Sequence, residues 1–113
     1  MYKQGDIVLV PFPFTDLTGA KVRPAVILSK KENGEDVTLC FVSSVQSKKT
    51  LPNELIIDDK DKSFKSTGLK VKSVIKVSKI ATLEKKVILG RIGSLDLGHM
   101  SKIKIILKDH FGI

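Results

Sequence analysis

At 113 residues and 42% hydrophobic, the chain has the size and apolar content of one compact domain, expected to run from residue 1 to residue 113 with a modest core. No stretch approaches the eighteen or so consecutive apolar residues that a membrane span needs, and residues 1–6 lack the apolar core of a signal peptide, so a cytoplasmic location is expected. The single cysteine excludes an internal disulfide, and the formal net charge of +8 points to an anionic partner.

The charge is concentrated. Residues 1–59 carry seven Lys/Arg against eight Asp/Glu, residues 60–91 carry ten against two, and residues 92–113 carry three against two, for balances of −1, +8 and +1. A basic segment of this kind attracts a polyanion. Lysines that merely keep strand edges from aggregating are the alternative. No aromatic cluster interleaves the lysines as a stacking platform for single-stranded bases would require.

In chain order the signal is mostly strand. Gly5-Asp6 precedes the apolar run 7–12, and Pro11 and Pro13 end it in a loop, 14–22, that holds the turn residues Thr15-Asp16 and Thr18-Gly19. Arg23-Pro24 then opens the run Ala25-Val26-Ile27-Leu28, which is apolar on both faces. Proline pushes the arginine into the extended region and removes one backbone donor, so the pair reads as the loop end of a buried strand. An arginine held there aims a planar, five-donor fork out of the core and asks for a carboxylate or phosphate; one of the chain's own carboxylates and an external anion are both open.

After an Asn33-Gly34 turn, residues 36–43 form a central strand with β-branched and aromatic side chains on both faces. Cys40 lies inside it and reads as a buried small hydrophobe rather than a nucleophile. Shorter strands follow at 53–57, 73–77 and 80–83, and then at 87–92, where Gly90 suggests a bend. Short strands without intervening helices imply a rolled sheet or small barrel. From Asp96, an N-cap, Leu97, Met100, Ile103, Ile106 and Leu107 recur at helical spacing and predict one amphipathic helix covering the barrel. Met100 is expected in the core and His99 on the polar side, at the surface; His110 has no catalytic signature.

Several chemistries are not written in the chain. No Cys or His pair stands at metal-ligand spacing, and there is neither a glycine-rich phosphate loop nor a serine elbow, so no metal or nucleotide cofactor is expected. Arg23 at one strand mouth and Ser43-Ser44 at the end of another remain, followed by the polar stretch Gln46, Ser47, Lys48, Lys49 and Thr50.

Gly5-Asp6-Ile7-Val8, Val22-Arg23-Pro24-Ala25-Val26-Ile27-Leu28, Phe41-Val42-Ser43-Ser44, Ile80-Ala81-Thr82-Leu83-Glu84 and Ser94-Leu95-Asp96 together resemble the MazF/PemK toxins over nearly the whole chain. The resemblance implies a small SH3-like barrel of the CcdB/PemK type with a C-terminal amphipathic helix. It also implies a homodimer and a toxin of a type II toxin-antitoxin system that cuts single-stranded RNA without a metal. A neighbouring antitoxin with an acidic or disordered segment would neutralise it.

Carried over residue by residue, the family's essential arginine falls on Arg23 and its threonine or serine on Ser43, with Ser44 as the neighbouring choice. The family is thought to use this arginine in proton transfer as well. Thr15, Thr18, Lys21, Gln46 and Lys48 would contact RNA. One departure stands out: the acidic residue and glutamine that many members carry are here Ser78-Lys79, and the following arginine is Ala81. Lys76 or Lys79 then becomes a candidate phosphate contact. A non-catalytic RNA-binding module and a gyrase poison of similar barrel fold are the alternatives in other functional classes.

Overall fold

The computed structural model describes residues 2–11, 21–30, 34–45 and 49–113. Six strands appear in chain order: β1 (Asp6–Pro11), β2 (Val22–Ile27), β3 (Asp36–Ser44), β4 (Glu54–Ile57), β5 (Ser73–Glu84) and β6 (Gly90–Ser94). A four-residue helix α1 (Phe64–Thr67) interrupts the passage from β4 to β5, and the helix α2 (Leu97–Phe111) ends the chain. The strands form one antiparallel sheet in the order β4-β5-β3-β2-β1-β6. It curls into a half-barrel with α2 packed against it, the architecture expected of the MazF/PemK fold.

Alternation along the strands divides the core between the two faces of the sheet. Ile7, Val26, Cys40, Val42, Ile57, Ile75 and Val77 point to one face and meet Leu95, Met100 and Ile103 at the helix. Val8, Val10, Ala25, Ile27, Val37, Leu39 and Phe41 point to the other, closed by Ile88. The inner strands bury both faces because β3, with β2 and β5 beside it, lies inside the curl. Cys40 is fully buried as expected, and that burial pushes its thiol pKa up to about 12.

The strands expected at 73–77 and 80–83 are one. Cys40 pairs with Ile80 and Phe41 with Lys76, so Val77, Ser78 and Lys79 occupy a single step of β3. Such a slip bends the longer strand and lets it continue around the curl. Beside it, Asn53 Nδ2 donates to Ser78 Oγ, and the Val77 N–H donates to the Asn53 carbonyl at 3.1 Å.

Gly5-Asp6 has a structural task. The Gly5 N–H donates to the Ile27 carbonyl at 2.8 Å, and its own carbonyl accepts from the Leu95 N–H at 2.7 Å, which joins β1 to β2 and to the entry of α2. Asp6 accepts from the Lys3 N–H at 2.8 Å and forms an ion pair with Arg91 Nε at 3.1 Å, tying β1 to β6.

The structure corrects one expectation at the helix start. His99 is buried rather than exposed. Its Nδ1 pairs with Asp96, and its Nε2 lies 3.7 Å from Asp61. Ser63 Oγ completes the cluster, 2.8 Å from Asp61 Oδ1 and 3.2 Å from Asp96 Oδ1. Burial disfavours the ionised Asp96, yet the hydrogen bond and charge of His99, with Ser63 behind them, outweigh it and lower its pKa. Hydrogen bonds from the Ser63 N–H and hydroxyl lower that of Asp61.

The same region packs backbone on backbone. A Cβ on Gly93 would lie 2.3 Å from the Ser66 carbonyl oxygen, and one on Gly68, whose φ is +74°, would lie 2.1 Å from that of Ile92. Only glycine lets α1 approach β6 so closely.

Candidate functional site

Arg23 and Ser43 come together through the parity of their strands. The β2 to β3 ladder ends at Ala25 paired with Phe41, and beyond that end Arg23 on β2 and Ser43 on β3 line one cleft. Both also share the face of Ala25, Ile27, Leu39 and Phe41, because each lies an even number of residues from them. The row continues across the sheet: Ser43 pairs with Val74 of β5, and Val74 with Ile56 of β4. In the next row Phe41 pairs with Lys76, and Lys76 with Glu54.

These two rows floor an open cleft of about 270 Å³, lined by Arg23, Ser43, Val74, Lys76, Glu54 and Ile56, with Ser44, Val45 and Lys49 at its rim. Three cationic side chains face one carboxylate there, so the cleft favours an anion. The core begins at Ala25 on β2 and ends at Val42 on β3, which leaves Arg23 and Ser43 half-buried where two rigid strands emerge from it. Placement on strands rather than loops restricts their motion and suits them to grip a phosphate with a planar fork and a hydroxyl donor.

Arg23, Ser43, Ser44 and Lys76, all singled out in the sequence, therefore line one cleft. Ser43 shares the face of Arg23, while Ser44 lies exposed at the end of β3. Lys21 is exposed ahead of β2 and does not line the cleft. Thr15, Thr18, Gln46 and Lys48 lie outside the described residues. Ser78 and Lys79 sit in the β5 slip, away from the cleft lining, so Lys76 rather than Lys79 is the lysine placed there. Lys49 and Glu54 were not anticipated as site residues. The period-2 spacing of Glu54 and Ile56 carried a faint signal, but only the lateral strand order gives it meaning. Among the described residues no group of three or more His, Cys, Asp or Glu side chains is arranged to hold a metal ion, and no helix is long and apolar enough to cross a membrane.

Comparison with known proteins bears on the family and the fold. The family described as PemK-like, MazF-like toxin of type II toxin-antitoxin system matches residues 3–111. Among solved structures, an endoribonuclease in complex with its cognate antitoxin from a mycobacterial species aligns with a TM-score of 0.77 at 17% identity, over 100% of this chain and 97% of that one. The Mycobacterium tuberculosis toxin MazF-mt6 aligns with a TM-score of 0.73 at 18% identity, over 96% and 97%. MazF from Deinococcus radiodurans aligns with 0.75 at 18% identity, over 99% and 97%. At such identities the solved structures establish the shared fold. No curated protein matches the sequence.

Proposed function

The chain belongs to the PemK-like, MazF-like toxin family of type II toxin-antitoxin systems, and on that premise we propose that it is a metal-independent, sequence-specific endoribonuclease acting on single-stranded RNA. The observation that carries this reading is that Arg23 and Ser43 line one cleft where cations outnumber carboxylates.

RNA supplies its own nucleophile, the 2′-hydroxyl, so the protein has chiefly to align that oxygen with the phosphorus and to stabilise the charge that builds on the phosphoryl oxygens. The Arg23 fork binds the two non-bridging oxygens, and Ser43 donates a further hydrogen bond to one of them or orients the 2′-hydroxyl. In-line attack then leaves a 2′,3′-cyclic phosphate and a 5′-hydroxyl. Lys76 and Ser44 hold the neighbouring phosphates. Lys21, with Thr15, Thr18, Gln46 and Lys48 from the segments on either side, contacts the flanking nucleotides.

In this reading the protein works as a cytoplasmic homodimer and inhibits growth by cutting mRNA. Its cognate antitoxin silences it with an acidic, disordered segment that folds onto the basic cleft. The test is to incubate the purified chain with a long single-stranded RNA in EDTA beside an Arg23→Ala control and to map the fragment ends. Discrete cuts with 5′-hydroxyl ends, absent in the control, are expected. Intact RNA at high protein concentration would overturn the ribonuclease reading, and binding without turnover would leave an RNA-binding module in its place.

A further inference from the structure

The cleft contains one group that anion binding alone does not call for. Glu54 opens β4 directly opposite Lys76, two residues before Ile56 and on the same face. A carboxylate repels a phosphate, so its place in this lining weakens simple electrostatic capture. Its Oε1 accepts from the Leu51 N–H at 3.0 Å, a bond that does not engage the other oxygen. In the sheet, β3 and β5 separate β2 from β4, so Arg23 and Glu54 line the cleft from its two sides. Three strand spacings separate them by about 14 Å at the backbone.

An in-line displacement makes use of such opposition. The 2′-hydroxyl is a poor nucleophile until a base within hydrogen-bond reach takes its proton. Arg23, a planar donor fork, serves as a charge clamp rather than as that base. Resting on the ribonuclease reading of the cleft, we propose that Glu54 is a catalytic residue, the general base that accepts the 2′-proton. The O2′–P bond forms as the P–O5′ bond breaks; the 2′-proton passes to the Glu54 carboxylate, and the departing 5′-oxygen takes a proton from water. Glu54 then returns its proton to solvent. This role gives the chain a carboxylate at the site although Ser78 stands where many family members carry an acid. The charged groups around Glu54 are Lys76 from β5, Lys49 from the preceding segment and Arg23 from β2, with Asp109 and His110 of α2 beyond Pro52 and Asn53.

The test uses Glu54→Gln, which keeps an acceptor for the Leu51 N–H while removing the base, and Glu54→Asp, which keeps a shortened carboxylate. Both are compared with wild type on an RNA that wild type cuts, from mildly acidic to mildly alkaline pH, after unfolding midpoints confirm that they fold. E54Q is expected to lose roughly 10²- to 10⁴-fold in kcat with KM nearly unchanged, and to lose the acidic limb of its kcat profile. E54D is expected to recover part of the rate together with that limb. An E54Q enzyme with wild-type rate and pH profile overturns the proposal. So does a loss carried by KM or by a changed cut sequence with the limb intact, which would make Glu54 a base-reading group. Wild type that leaves RNA intact overturns the ribonuclease reading and this inference with it, an outcome separable from an inert variant beside an active parent.

Discussion

If Arg23 and Ser43 grip one phosphate, their losses cannot be independent. The two residues emerge from neighbouring strands on one face of the sheet and line the same cleft. Removal of a single preorganised donor from such a site lowers the rate roughly 10²- to 10³-fold, or about 2.7–4 kcal/mol. Two independent losses of that size would multiply to about 10⁴- to 10⁶-fold. Groups that act as a unit behave otherwise: once one is gone the other holds a phosphate already misplaced, and the second loss is small. The Arg23→Ala, Ser43→Ala double variant should therefore fall within about tenfold of the slower single variant. The assay is single-turnover cleavage of end-labelled RNA in EDTA at saturating enzyme. Both side chains are half-buried beyond the core residues of their strands, so each truncation should change stability by no more than about 1 kcal/mol. Melting curves of all four proteins check that the rates compare folded molecules. Multiplicative losses would refute a shared phosphate, and a Ser43→Ala rate equal to wild type would remove Ser43 from the site.

Three further outcomes follow from the packing. Gly93→Ala places a Cβ 2.3 Å from the Ser66 carbonyl oxygen and 2.4 Å from the Thr67 carbonyl carbon, where only backbone movement gives relief. A loss of about 1–3 kcal/mol is expected, lowering the melting temperature by about 4 °C per kcal/mol, and an unchanged melting temperature would sink the close-packing argument. Asp61 and Asp96 both have lowered pKa values in the fold, so the stability they supply is present above the ordinary carboxylate value of about 4 and is lost as pH falls through their folded values. Melting temperature should drop across that acid range, less steeply in Asp96→Asn; equal slopes in the two proteins would contradict the linkage. The buried Cys40 thiol, its pKa raised to about 12, should resist alkylation in the native protein at mildly alkaline pH and react on unfolding, whereas rapid native labelling would refute its burial.

What the sequence made legible is what depends on local pattern. Alternation announced the inner strands, and the helical spacing of Met100 and Ile103 announced which side of α2 enters the core. His99 was misread because helical periodicity describes only the helix's own face. Its burying partners, Asp61 and Ser63, come from a stretch with no periodic signal, around a helix of four residues. The slip at Val77, Ser78 and Lys79 was likewise invisible, since a bulge is a relation between β5 and β3 and neither strand alone encodes it.

The candidate site shows the same division. Arg23 advertised itself as a cation at a strand mouth, but its place in one cleft with Ser43 depends on the register that sets Ala25 against Phe41. Glu54 gave only the faint signal of its spacing from Ile56, as a charge at the start of a short strand is ordinary. Its position follows from a lateral order in which β5 sits between β4 and β3, although β4 follows β3 in the chain. If that order were exchanged, Glu54 would leave the wall opposite Arg23 and the cleft would lose the side on which a proton acceptor is needed. The carboxylate's proposed role is therefore a consequence of topology more than of local sequence. A search for the missing acid at the Ser78 position alone looks along the chain for a group that the sheet supplies from across it.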